Sequence, residues 1–169
     1  MSQRSEAGCV SIKNFINGDF VGPLNGSYFE SVNPATAVVN VSMPCSDAMD
    51  VDNAVAAAKR AFESWSKTSR KHRSMLLHKI ANIIESRLME FAQAESEDQG
   101  KPIKLAATVD IPRTIYNFRF FASYILHMSE KASVLDDVAL NVVHRQPAGV
   151  AALISPWNLP AYLLSWKIA

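Results

Sequence analysis

Apolar and polar positions change period twice along the chain, and the changes divide it into three parts. The first third carries short alternating runs. In residues 15–21, Phe15 and Ile16 are joined to Phe20 and Val21 by Asn17-Gly18-Asp19. Asparagine and glycine tolerate positive φ, so this spacing predicts a tight hairpin. Tyr28-Phe29-Glu30-Ser31-Val32 predicts a second strand. Asn33-Pro34 ends it, because a proline drives the residue before it out of the helical region. Residues 38–43 predict a third strand, stopped by Pro44.

The middle third has helical period. Ser46 or Asp47 offers a side-chain oxygen for an N-cap. Val51, Ala54, Val55, Ala58, Phe62 and Trp65 then share one face. A second helix starts near Ser69, with Leu76, Leu77, Ile80, Ile83, Ile84 and Leu88 as its expected buried stripe, and continues past a break through Phe91 and Ala94. Gly100-Lys101-Pro102 stops it. A third helix is expected over 103–127. Pro112 lies inside it, where a missing N–H and a clash with the preceding turn cost about 3 kcal/mol, so a kink or break is expected there.

The last third returns to strand. Residues 138–146 alternate loosely. Pro147-Ala148-Gly149 is a turn or strand start. Val150 to Ile154 is apolar on both faces, the mark of a strand covered on both sides in a parallel sheet. Ser155-Pro156-Trp157-Asn158-Leu159-Pro160 is a loop, and Pro160 suits the first turn of a final helix. Such a strand needs parallel neighbours, and the final helix is only about two turns long. The pattern therefore predicts an α/β fold begun and not completed: β-hairpins, helices and the start of a Rossmann-like parallel sheet.

Composition narrows the function. The 169 residues are 49% hydrophobic and 20% charged, too apolar for a disordered chain. Net charge is +1, with Arg70-Lys71-His72-Arg73 the one basic cluster, so nucleic acid is not expected as a partner. No apolar run reaches the roughly 18 residues of a membrane span. The N-terminal residues 1–8 are polar, without the apolar run of a secretory signal. Cys9 and Cys45 form no CxxC and no metal spacing, so no metal is expected, and a reducing, cytosolic setting fits.

The stretch that carries chemistry is 148–160, where a strand delivers a loop to a helix N-terminus, the usual place for ligands in open α/β sheets. Asn158 sits there with an amide able to donate to a developing oxyanion, worth roughly 2.7–4 kcal/mol in a preorganised site. From spacing alone the plainer reading takes precedence: Asn158 caps the helix and the prolines shape the turn. His72, His78, His127 and His144 are scattered and pair with no Cys or Ser in a readable constellation.

Ile154-Ser155-Pro156-Trp157-Asn158-Leu159-Pro160 resembles the signature of the aldehyde dehydrogenase superfamily. So, in the same order, do Phe15-Ile16-Asn17-Gly18, Asn33-Pro34-Ala35-Thr36 (with Ala37 in place of a usual glycine), Trp65 followed by Arg73, Gly100-Lys101-Pro102, and Pro147-Ala148-Gly149-Val150. Asp98-Gln99-Gly100-Lys101, Asp110-Ile111-Pro112-Arg113, Asn117-Phe118-Arg119-Phe120-Phe121-Ala122 and residues 162–169 resemble the family's muconic semialdehyde branch.

The resemblance implies hairpins and helices of the NAD-binding domain over 1–137, an oligomerisation-type strand over 138–147, and the first nucleotide-binding strand, loop and helix over 148–169. It implies NAD as cofactor, with Ile154, Ser155, Pro156 and Trp157 lining its cleft, Asn158 in the oxyanion hole, and Arg113 reading the carboxylate of an acidic semialdehyde. Guanidinium forks match carboxylates, although bottom-up Arg113 reads as an ordinary exposed helix residue. In the family a thiolate attacks the aldehyde, hydride leaves to NAD, and an activated water releases the acid. The nucleophilic cysteine and the general-base glutamate fall in segments this sequence does not contain, and Cys45 lies too early to replace the cysteine. The expectation is an N-terminal fragment, inactive alone, of an enzyme that is a homo-oligomer at full length. The rival is a non-catalytic interaction protein that joins full-length dehydrogenase subunits through an exposed strand.

Overall fold

A computed structural model of the chain describes residues 3–4 and 9–169. The reading of residues 1–8 as a polar, non-secretory terminus otherwise lies outside the described residues. Two short strands, β1 (Gln3–Arg4) and β2 (Val10–Ser11), precede the first hairpin, β3 (Asn14–Ile16) and β4 (Asp19–Val21). Its turn is the expected one: Asn17 and Gly18 have φ of 56° and 90°, and Phe15 packs on Phe20 with ring centroids 5.0 Å apart. Strands β5 (Tyr28–Asn33) and β6 (Val38–Pro44) form a longer antiparallel pair. The mixed sheet runs β1-β2-β6-β5, with β2 parallel to β6.

The helices follow their sequence signals closely. Asp47 caps α1 (Ala48–Trp65) in a capping box with Asp50. Asp50 is buried and its Oδ1 also accepts the Leu24 N–H at 3.1 Å, tying the loop after the hairpin to the helix. Ser69 caps α2 (Arg70–Ser86). The chain breaks at Arg87 and resumes as α3 (Leu88–Gln99), which ends on Gly100 in the left-handed region at φ 66°. The disturbance expected at Pro112 is present. One turn of α4 (Ile103–Leu105) runs into a π turn over Ala106–Asp110, and α5 (Ile111–His127) carries Pro112 in its first turn. The core lies where α2, α3 and α5 meet: Ala81, Ile84, Ala92, Ala106, Ile111, Ile115 and Phe118.

Two expectations need correction. The strand over 150–154 does not form: these residues pair with nothing, and Val150, Leu153 and Ile154 are exposed. A strand is made by its neighbours' hydrogen bonds, and no neighbouring strand stands beside this segment among the described residues. The apolar stripes of the first two helices are also only partly covered. Val51, Trp65, Ile80 and Ile83 remain exposed. Within 138–147, β8 (Ala139–Val142) forms but pairs antiparallel with β7 (Ala132–Leu135), a strand too short and weakly alternating for its pattern to announce. The chain closes with α6 (Pro160–Ile168), which packs on α5.

Candidate functional site

The loop leading into α6 is held from both ends. Pro160 opens the helix, and the Leu163 N–H closes its first turn on the Leu159 carbonyl at 2.9 Å. From the last turn, Lys167 Nζ donates to the Ile154 carbonyl, so the loop is closed back on the helix it precedes. Between these ties Ile154 and Trp157 are each 81% exposed. Asn158 is exposed as well, and its amide has no hydrogen-bond partner among the described residues. The plainer reading of Asn158 as a helix cap does not hold. The capping position belongs to Leu159, and no side chain caps α6. The amide is left open to an external acceptor.

Helix α6 is seated on α5 by polar contacts inside the interface. Asn117 Nδ2 donates to Ser165 Oγ at 2.9 Å, and Ser165 Oγ donates to the Tyr162 carbonyl at 2.6 Å. One turn before Asn117, Arg113 projects from the same side of α5. Its guanidinium carbon lies 5.0 Å from the Tyr116 ring centre and 5.7 Å from that of Tyr162. Cation–π attraction to the ring faces holds it there. Arg70, Arg87, Arg119 and Arg145 each pair with a glutamate, whereas Arg113, like Arg60 and Arg73, has no carboxylate partner among the described residues. The guanidinium is exposed, with a tyrosine ring from each of two helices beside it.

The structure thus brings Arg113 to the first turn of the helix that Ile154, Ser155, Pro156, Trp157 and Asn158 lead into. Sequence reasoning gave no site role to Tyr116, or to Asn117, Tyr162 and Ser165, which stood only within motifs of the resemblance. Tyr116 and Asn117, three and four residues after Arg113, share its helix face, and that spacing is a usable signal. The contacts from α6 were not legible without the packing.

A cavity of about 490 Å3 is lined by Trp65, Leu76, Ile80, Ile83, Ile125 and Ile168, together with Arg73 and Lys79. Cys45 follows β6, its backbone tied to Ser27 and Asn25, and carries no connection to the loop at 155–158. Among the described residues no group of three or more His, Cys, Asp or Glu could hold a metal ion. No helix there is long and apolar enough to cross a membrane.

This mixed α/β unit, with its loop and helix held against α5, is an amino-terminal portion of a known fold. The aldehyde dehydrogenase family model matches residues 20–169, and the chain belongs to that family. Within it the chain is similar to the 2-aminomuconic semialdehyde dehydrogenases. It is 49% identical over 163 residues to the one from Bos taurus, covering 96% of this chain and 33% of that protein. It is 53% identical over 159 residues to the one from Danio rerio, covering 94% and 32%. Among solved structures, the NAD+ complex of aldehyde dehydrogenase from Bacillus cereus matches with a TM-score of 0.89 at 38% identity, covering 94% of this chain and 33% of that one. The chain spans about a third of the length of the relatives it matches.

Proposed function

We propose that this chain is the amino-terminal part of an NAD-dependent dehydrogenase that oxidises an acidic semialdehyde to the carboxylic acid, and that it carries half of the active site. The observation that carries the reading is Arg113: exposed, without a carboxylate partner among the described residues, and braced on Tyr162 at the start of α6. A second carboxylate on the substrate is the group it is arranged to receive. The similarity to 2-aminomuconic and 2-hydroxymuconic semialdehyde dehydrogenases supports the same substrate class.

In this reading Asn158 donates its amide hydrogen to the oxygen that becomes negative when the aldehyde carbon turns tetrahedral. Ile154 and Trp157 offer exposed apolar faces, and with Ser155 and Pro156 they would hold the flat rings of NAD. The cofactor, when bound, supplies the hydride acceptor. The thiolate nucleophile and the general base come from the part of the enzyme beyond this third, so the chain by itself turns over no aldehyde. The setting is cytosolic, and the full-length form is a homo-oligomer.

Fusion at Ala169 to the downstream two thirds of a 2-aminomuconic semialdehyde dehydrogenase tests the reading. The fusion should oxidise a muconic semialdehyde with NAD. Arg113→Ala should raise KM for it about 100-fold while leaving an uncharged aldehyde within twofold, the loss expected when a charge-assisted bidentate contact is removed. Equal effects on both aldehydes would refute the role given to Arg113. Turnover by the 169-residue chain alone, surviving a Cys45→Ser change, would refute the division of the site.

A second reading is favoured by the β7–β8 hairpin, in which every residue is exposed and Val134, Leu140 and Val142 are apolar. An open edge of this kind adds to another sheet. The chain would then join full-length subunits as a non-catalytic member. Failure to co-elute with a co-expressed full-length relative on size exclusion would end this reading.

A further inference from the structure

Beneath Arg113 lies a buried charge cluster that no step above uses. Lys101 Nζ bonds Asp110 Oδ2 at 2.7 Å and Glu95 Oε1 at 3.2 Å. The three side chains are nearly out of solvent, at 12% exposure for Lys101, 2% for Asp110 and 5% for Glu95. Asp110 is the last residue of the π turn, and Arg113 follows three residues later.

We propose that Lys101 is a positioning residue for Arg113: by pairing with Asp110 it pins the π turn, and the π turn sets the rotation at which α5 presents Arg113 to Tyr162. The proposal rests on the reading of Arg113 as a carboxylate receptor. The geometry carries it in three steps. Pro112 has no N–H, and in an unbroken α-helix its ring would meet the carbonyl of the residue four before it, Thr108. The wide turn relieves this, with the Ile111 N–H reaching back five residues to the Ala106 carbonyl.

One extra residue in a turn rotates everything after it by about 100° relative to a straight helix. Arg113 is thereby turned toward α6, where it meets the Tyr162 ring, while Tyr116 of its own helix flanks it. Sliding the wide turn by one position would bring Val109 or Ile111 to the place Asp110 now holds. Two carboxylates almost shut off from water require a cation, and Lys101 supplies it in the observed register. Asp110 is fixed a second time, since its carbonyl accepts the Thr114 hydroxyl at 2.9 Å. Without Lys101, the Asp110 carboxylate gains by turning toward solvent, and the first turn of α5 rotates with it.

Two measurements test this. In the 169-residue chain, NMR of the Arg113 Nε–Hε group reads its seat over the rings through their ring currents. Lys101→Met should remove the part of that shift due to Tyr162 while the part due to Tyr116, on the same helix, stays, and Lys101→Arg should restore it. In the fusion, Lys101→Met should raise KM for the acidic semialdehyde about tenfold, with kcat and the uncharged aldehyde within twofold, and Lys101→Arg should rescue. An unmoved Arg113 resonance, or equal KM changes for the two aldehydes, overturns the proposal. Should Lys101→Met not fold, Asp110→Asn keeps the shape, removes the charge and is read identically. If neither folds, the cluster is a requirement of the fold and the positioning role is rejected. The underlying reading fails separately: Arg113→Ala without selective loss removes the receptor, while a selective Arg113→Ala beside a silent Lys101→Met removes only the role of Lys101.

Discussion

Asn117 on α5 donates its side-chain amide to Ser165 on α6 over 2.9 Å, with both side chains buried. The bond joins residues 48 positions apart in sequence and fixes the helix that carries the candidate site against the helix that carries Arg113. Burying an amide is favourable only when its hydrogens are satisfied, and here Ser165 Oγ and the Tyr162 carbonyl satisfy them.

Asn117→Leu removes that donor and forces a branched side chain against α6. The expected loss is about 2 kcal/mol. Ser165→Ala should cost less, about 1 kcal/mol, because Asn117 Nδ2 keeps the Tyr162 carbonyl at 3.3 Å. Urea unfolding of the two single variants and the double variant checks both values, and a coupling energy near zero would show that the pair does not act together.

Ala37 occupies the left-handed region at φ 57°, at the close of the turn between β5 and β6. A side chain there crowds the following carbonyl, at about 1 kcal/mol relative to glycine. Ala37→Gly is therefore expected to stabilise the chain by up to about 1 kcal/mol, less whatever entropy glycine adds to the unfolded state. The midpoint of urea unfolding should rise with its slope unchanged.

Gly100 is the opposite case. Its φ is 66°, and a Cβ built on it would stand 2.8 Å from Pro34 Cγ and 3.0 Å from the Ala35 backbone nitrogen. Backbone cannot give way as a flexible side chain can. Gly100→Ala should cost at least about 2 kcal/mol, from the left-handed penalty plus the overlap. Thermal melting against the Ala37→Gly variant, in the turn that Gly100 packs against, gives the contrast in sign.

Two ion pairs make opposite pH predictions. Glu85 is held below its ordinary pKa, first by the hydrogen bond from Arg119, with burial opposing and the Arg119 charge assisting. Arg119 Nη1 reaches Glu85 Oε1 at 3.0 Å. Whatever stability the pair adds is present above the ordinary glutamate pKa and is lost as pH falls through the lowered folded value. The pair is exposed, so the effect is small, and NMR titration of the Glu85 carboxyl is the suitable probe. Arg119→Ala should return it to the ordinary range.

Lys101 runs the other way. Burial pulls its pKa down, but hydrogen bonds to Asp110 and Glu95 together outweigh burial and leave it raised. Its contribution is complete below the ordinary lysine pKa and is lost as pH rises through the raised folded value. Unfolding measured across the alkaline range should steepen there, and Lys101→Arg, which stays charged, should extend the stable range upward.

The local signals in the sequence were sufficient where a single residue's backbone preference decides the outcome. Asn17-Gly18 made the hairpin, Asp47 and Ser69 capped their helices, Gly100 ended α3, and Pro112 forced a departure from α geometry. The Ile154–Pro160 motif likewise marked the loop from composition and order. What the sequence could not determine depends on a second element. Whether Val150–Ile154 is a strand is settled by a neighbour's hydrogen bonds, and whether Ile80 and Ile83 are buried is settled by what packs on them. The tertiary structure alone placed Tyr162 beside Arg113, Ser165 on Asn117 and Asp110 on Lys101, because these contacts arise from the crossing of helices and the register of one wide turn. A periodic pattern along the chain says which face a residue shares, not which partner that face will meet.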